Sequence, residues 1–254
     1  MMQPWLALPA GAFIATLVMI VGFGGGMLWM PFLLIVMRLP PQTAIITSLL
    51  IQIAGTGSGS VSYIRQGKAD LRLALWLLVV AIPGVELGAY VAHRFVLTKI
   101  ELLVGLIALI TAFLLVSSNQ KYTDEGTERV QIRQTYQYSW VAAFMAVVSG
   151  MLTINLGEWL VPFLRKKMGL RISNGVATCI VLTCGISLVG ALIHYHMGAQ
   201  PSWEITLWAI PGIIAGGQIG TRLVRHIDER MLKEIFIFVL TLIGIHLVYR
   251  SFPV

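Results

Sequence analysis

Gly22–Pro31 reads GFGGGMLWMP, and 131 residues later Thr153–Pro162 reads TINLGEWLVP, a weakened copy of the same stretch. Residues downstream return at that offset as well: Thr47 falls on Thr178, Gln52 on Thr183 and Gly67 on Gly198. Further along, IPGVELGAYVAHR (Ile82–Arg94) matches IPGIIAGGQIGTR (Ile210–Arg222), now offset by 128. Apolar segments broken by Gly and Pro at corresponding places in two halves point to a transporter with its site at the repeat interface.

Bulk properties agree with a membrane chain. Hydrophobic residues make up 57% and charged residues 11%, and mean hydropathy is +0.84, far outside the range of soluble domains. The net charge of +7 is spread over short loops that flank apolar runs, so no nucleic-acid partner is expected. Cys179 and Cys184 lie inside an apolar segment and read as small apolar residues, not as a disulfide framework. The first apolar run lacks a basic leader and a small-residue cleavage site, and so reads as a membrane segment.

A hydropathy window of about 19 residues finds apolar stretches at Trp5–Met37, Thr43–Ile64, Leu73–His93, Ile100–Val116, Trp140–Leu164, Asn174–Met197, Trp203–Thr221 and Leu232–Tyr249. All but the first and fifth have the length of one spanning helix, about 20 residues. Trp5–Met37 carries a glycine cluster in its middle and should be two short helices joined by a turn. Trp140–Leu164 is its counterpart, bent around Asn155 and Gly157.

Loop charges orient the halves. If each broken segment crosses once, the two sides carry 7 and 11 Lys/Arg; if each goes in and returns as a hairpin, the split is 4 against 14. The four are Arg38, Arg94, Lys99 and Arg250. The positive-inside rule prefers the second division. Basic residues also alternate between corresponding loops, as expected of inverted rather than parallel repeats. The expected fold is therefore all-α: a polytopic membrane protein of two inverted halves, each a broken hairpin followed by three spanning helices. Residues 1–117 form the first repeat, 118–138 a polar connector and 139–254 the second repeat, with both termini outside a bacterial inner membrane.

Candidate site residues cluster at the hairpins. Gly24, Gly25 and Gly26 suit a hairpin tip, with Met27 opening the second short helix. Its free N–H groups and positive dipole end would then face an anion; the competing reading is close helix packing. No GK[ST] follows, so a nucleotide loop is excluded. The second copy replaces the glycines by Asn155, Gly157 and Glu158. A carboxylate inside an apolar segment costs roughly 2.5–3.5 kcal/mol on insertion scales, so Glu158 is either a proton-coupling group or a neutral, hydrogen-bonded acid. Glu86 in PGVELG carries the same pair of readings.

Thr47, Ser48 and Gln52 match Thr178, Cys179 and Thr183, a polar ladder whose positions 48 and 52 share a helix face. These donors can complete an oxyanion shell without adding charge, or serve ordinary interhelical bonding. Gly84 and Gly88, like Gly212 and Gly216, form GxxxG-type stripes for close helix contact. His194 and His196 resemble a metal pair, but they point to different sides of a helix and read as interfacial. Neither a cofactor nor a metal nor enzymatic chemistry is expected. The expected partners are a small anion and the lipid bilayer, with a homodimer left open. Rival readings are an anion channel, an intramembrane metal-dependent enzyme using His194, His196 and Glu158, and a scaffold held by its glycine faces.

GFGGGMLWMPFLL, followed by TAIITSLLIQ and later by a PGxxxGA segment, resembles the TauE/SafE family of membrane transporters over nearly the whole chain. The resemblance implies two homologous halves and export of sulfite or sulfonates such as sulfoacetate. It carries the family's glycine hairpin onto Gly24–Gly26 and its Ala-Thr-Ser element onto Ile46, Thr47 and Ser48. The second glycine triplet is missing, with Asn155, Leu156 and Gly157 in its place, and Glu158 would repel an anion unless protonated.

Overall fold

The computed structural model describes residues 3–21, 25–95, 97–117, 126–130, 135–154, 157–223 and 229–252. Among them all regular structure is helical, apart from one isolated bridge between Thr127 and Leu170. The first half contains α1 (Ala7–Val21), α2 (Gly26–Pro31), α3 (Pro41–Arg65), α4 (Leu71–Arg94) and α5 (Leu97–Ser117). The second repeats that order as α6 (Ser139–Leu152), α7 (Gly157–Met168), α8 (Ile172–His196), α9 (Trp203–Leu223) and α10 (Glu229–Ser251).

The first apolar segment holds one helix ending at Val21 and another beginning at Gly26, and the fifth holds one ending at Leu152 and another beginning at Gly157. The chain re-enters helix at Gly26, one residue earlier than expected, with Gly25 as its N-cap. Pro31 contributes no N–H, and beyond it the helix widens into a π-turn over Phe32–Val36, where the Met37 N–H reaches the Phe32 carbonyl at 3.0 Å. Gly26–Val36 and the 12-residue α7 are each about 16–18 Å long, roughly half of a 30 Å hydrocarbon layer.

Long helices surround these short ones. Pro41–Arg65, Leu71–Arg94, Lys99–Val116, Ser173–His196 and Glu234–Ser251 are long and apolar enough to cross a membrane. The segment expected at Trp203–Thr221 is the 21-residue α9. Large side chains such as Phe113, Trp140, Phe144 and Tyr249 point outward, the pattern of a surface whose solvent is lipid.

Contacts fix the helix directions. Along α3 and α8 the neighbours are Leu49 with Gly190, Gly57 with Cys184, Ser60 with Ile180 and Lys68 with Asn174. One set of numbers rises as the other falls, so the two are antiparallel. The same holds for α5 and α10, where Glu101 meets Arg250 at 3.8 Å and Gly105 meets Leu247. By contrast α1 runs parallel to α9 (Leu8 with Gly212, Ala12 with Gly216), and α4 parallel to α6 (Gly84 with Ala143, Gly88 with Val147). Gly55 beside Ile213 and Thr47 beside Ser202 make α3 parallel to α9, and therefore to α1. Two helices can share a direction across α2 only if α2 turns back.

The glycine stripes are interfaces, as expected. A methyl at Gly84 or Gly88 would fall on the carbonyls of Ala143 or Val147, and one at Gly212 or Gly216 on those of Leu8 or Ala12. Such backbone-to-backbone approach is how helices associate where lipid removes the hydrophobic drive. Gly67 and Gly198, matched in the repeat, end α3 and α8 with φ of 67° and 93°, a region open to glycine at little cost.

Candidate functional site

The two hairpins touch. Gly26, the first residue of α2, lies against the backbone carbonyl of Thr153, the residue that ends α6. On α3, Ser48 and Gln52 stand one turn apart and complete the junction. Gln52 Nε2 donates to the Thr153 carbonyl at 3.0 Å and to Ser48 Oγ at 3.2 Å. The Ser48 and Thr153 hydroxyls lie 3.1 Å apart. Thr153, Ser48 and Gln52 are all buried. Among the described residues the junction holds hydroxyl and amide dipoles and no charged side chain, so these groups can exchange partners with a polar ligand without exposing a buried ion.

Thr153 is a residue that the motif alone does not single out. It occupies the register of Gly22, and its φ of 59° is left-handed, a conformation costing a non-glycine residue roughly 1–2 kcal/mol. The surroundings hold it there. Its N–H donates to the Ser149 carbonyl at 2.8 Å, its own carbonyl accepts from Gln52, and its hydroxyl pairs with Ser48. A β-branched residue aligned with glycine was the available signal, and backbone strain retained by several bonds is common at functional positions.

The other expected residues fall in different places. Gly25 and Met27 sit beside the junction, with the Met27 side chain in the core. Gly157 opens α7 as Gly26 opens α2. Gly24 and Asn155 lie outside the described residues, as does the Glu158 side chain. Thr183 is buried on α8. Glu86 points out of the bundle from α4 and does not face the junction.

Thr47 and Thr178 hold loops of the opposite half. Thr47 Oγ1 accepts from the Ser202 N–H at 3.0 Å, ahead of α9, and Thr178 Oγ1 accepts from the Asp70 N–H at 3.0 Å, ahead of α4. Asp70 in turn caps α4 through the Leu73 N–H at 3.2 Å and reaches the Val130 N–H at 3.3 Å. Thr47→Val strands the partly buried Ser202 N–H and Thr178→Val the buried Asp70 N–H, a penalty of about 1–3 kcal/mol for a buried group. Both should lower the melting temperature measured in detergent by a similar amount, and an unchanged melting curve would refute the clamp.

The two histidines point to different sides of α8, as expected, and meet different surroundings. His196 is exposed, but His194 is fully buried and bonds to His93 of the first half and to the Gly150 carbonyl. His194 lies near the end of α8, where α4 and α6 meet its ring through His93 and Gly150. No cluster of three His, Cys, Asp or Glu side chains suited to a metal occurs among the described residues.

Comparison with known proteins gives a consistent picture. The family model described as sulfite exporter TauE/SafE matches residues 7–247. The chain is 25% identical over 262 residues to the "Probable membrane transporter protein YunE" of Bacillus subtilis (strain 168), covering 95% of this chain and 96% of that one. It is 25% identical over 237 residues to the "Probable membrane transporter protein ORF9" of Sinorhizobium sp, covering 93% and 89%. A shorter stretch of 99 residues is 32% identical to the "Probable membrane transporter protein MamO" of Paramagnetospirillum magneticum (strain ATCC 700264 / AMB-1), covering 36% of this chain and 16% of that protein. No solved structure matches.

Proposed function

The chain belongs to the sulfite exporter TauE/SafE family of integral membrane transporters, and from that premise we propose that it exports a small sulfur oxyanion or organosulfonate, such as sulfite or sulfoacetate, by alternating access. The observation that carries this reading is the buried, uncharged junction at which Gln52 and Ser48 join the two hairpins through Thr153. A bound anion takes over donors that now serve the junction: the Gln52 amide, the Ser48 and Thr153 hydroxyls, and the amides that open α2. Asn155 and Gly157 add to it from the second hairpin. Without a cation in the site, binding is selective for geometry and weak enough for release.

Alternating access is supported by the helix directions. Corresponding helices run antiparallel, α3 against α8 and α5 against α10, which is the relation of halves inverted about an axis in the membrane plane. Each hairpin then enters from its own face, and parting the Gln52–Thr153 bond opens one side. Both termini lie outside a bacterial cytoplasmic membrane, with Arg165–Arg171 inside, in keeping with the loop charges.

Calorimetry or thermal shift in detergent against sulfite, sulfate, sulfoacetate, taurine and simple carboxylates tests the substrate class. Gln52→Leu keeps the bulk and removes the donor; loss of one bond to a charged ligand is about 1.5–3 kcal/mol, roughly ten- to hundredfold in affinity. Equal affinity in wild type and variant would remove the junction from the site. Impermeant labelling of a cysteine placed at Arg165 from outside the cell would reverse the assigned orientation.

A further inference from the structure

We propose that His93 and His194 form a proton-binding site that ties protonation at one end of the bundle to the second hairpin, resting for its coupling to anion binding on the transporter reading above. The two side chains come from different halves and meet in the last turns of α4 and α8. His194 Nε2 lies 2.9 Å from the Gly150 carbonyl, and His194 Nδ1 lies 3.3 Å from His93 Nε2. The rings stack with centroids 5.3 Å apart and an interplanar angle of 27°.

The bonding assigns the hydrogens. A carbonyl only accepts, so His194 carries its hydrogen on Nε2. In a neutral imidazole Nδ1 is then an acceptor, and His93 must donate to it through Nε2. One proton added at His93 Nδ1 preserves both bonds and makes the His93–His194 bond charge-assisted. A second would set two N–H groups against each other across 3.3 Å. The pair is therefore built for a single proton. His93 is partly buried while His194 is sealed, so the proton enters through His93 from the surface where α4 and α8 end.

Gly150 explains why the proton matters. It lies in the last turn of α6, whose final carbonyls lack intrahelical partners and carry the negative end of the helix dipole. Thr153 takes the Ser149 carbonyl and His194 takes that of Gly150. The same helix end carries Thr153 to the junction with Gly26, Ser48 and Gln52. A negative dipole end there opposes an anion, and a cationic histidine pair on it offsets the repulsion. Anion binding and proton binding then favour each other, by equal factors in each direction.

Among the described residues no carboxylate pairs with either ring. On α4 the nearest titratable neighbours are Tyr90 and Arg94, which bond to each other at 2.7 Å, with the outward-pointing Glu86 further back. On α8 they are Tyr195 and His196, both exposed. α6 carries no titratable side chain. Those of α3 are Tyr63 and Arg65, at the end remote from Leu49, which packs beside Gly190.

Two measurements on the detergent-solubilised chain test the site. Nitrogen NMR of isotope-labelled histidines should show His194 as the Nε2–H tautomer near neutral pH. On acidification one proton should be taken up jointly, and His93→Gln should abolish the response of His194. Independent titration of the two rings, or no response of either, overturns the site. Sulfate, whose charge stays constant between about pH 5 and about pH 8, should bind with an affinity that rises up to about tenfold per unit fall in pH, the slope of one linked proton. His93→Gln keeps a donor for His194 Nδ1 but holds no proton, so its sulfate affinity should vary less than about twofold with pH at an unchanged melting temperature. If that variant keeps the wild-type slope, the coupling is overturned while the transporter reading stands. If the histidines titrate as a pair and no anion binds, the transporter reading fails and the proton site remains.

Discussion

Gly26→Ala should abolish transport, with flux of sulfite into proteoliposomes falling at least about a hundredfold, the equivalent of losing two buried hydrogen bonds. The added methyl falls on the Thr153 carbonyl and 2.8 Å from Gln52 Nε2. Neither neighbour has room to move, because Thr153 is held in its left-handed turn by the bonds that the methyl displaces. The hairpins must part, and the closed state of the proposed alternating-access cycle is lost. Gly25→Ala is the control. Gly25 has φ −69° and ψ −15°, which alanine adopts freely, and its Cβ would meet Trp29 Cδ1 at 3.4 Å, an ordinary contact. Its flux should stay within about twofold of wild type. If both variants transport normally, the tips do not gate the path; if both fail alike, a general glycine requirement replaces the specific one at Gly26.

A second large effect is expected at the helix interfaces. Gly88→Ala and Gly216→Ala each drive a methyl into a partner-helix carbonyl, that of Val147 or of Ala12. Overpacking of this kind costs about 1–3 kcal/mol, and backbone on both sides belongs at the upper end. For a chain of this size that corresponds to a fall of roughly 5–10 °C in melting temperature, read by size-exclusion chromatography of heated detergent samples. Leu87→Ala, next to Gly88 but 54% exposed, should shift it little. Matching losses at Gly88 and Gly216 would show that the α4–α6 and α9–α1 contacts are equivalent. A loss at one alone would show that the two halves do not share their packing.

Much of this architecture is legible in the sequence. The new helix at Gly26, its counterpart at Gly157 and the GxxxG stripes are local signals: glycine in a helix interior is costly and persists where a turn or a close approach needs it. The polar ladder of α3 is legible as a ladder, but not by destination. Ser48 and Gln52 join the hairpins, while Thr47, next to Ser48, turns to the loop before α9. Neighbours on a helix point about 100° apart, and only the packing of α9 shows what occupies that direction. The bonding of His194 is hidden from its sequence for a similar reason. Its partner, the partly buried His93, lies 101 residues away, and nothing in its own segment announces it.

Composition, periodicity and the doubled motif by themselves determined that this chain is a membrane protein of two related halves, with its polar residues gathered near two broken segments. Hydrophobicity and glycine act within a segment, so a segment suffices to reveal them. Tertiary structure alone decided that Thr153 rather than the glycine run is the centre of the junction, that Thr47 and Thr178 clamp the opposite half, and that two distant histidines share one bonded chain. Each of those depends on a hydrogen bond between helices far apart in sequence, and such a bond exists only after both helices have been placed.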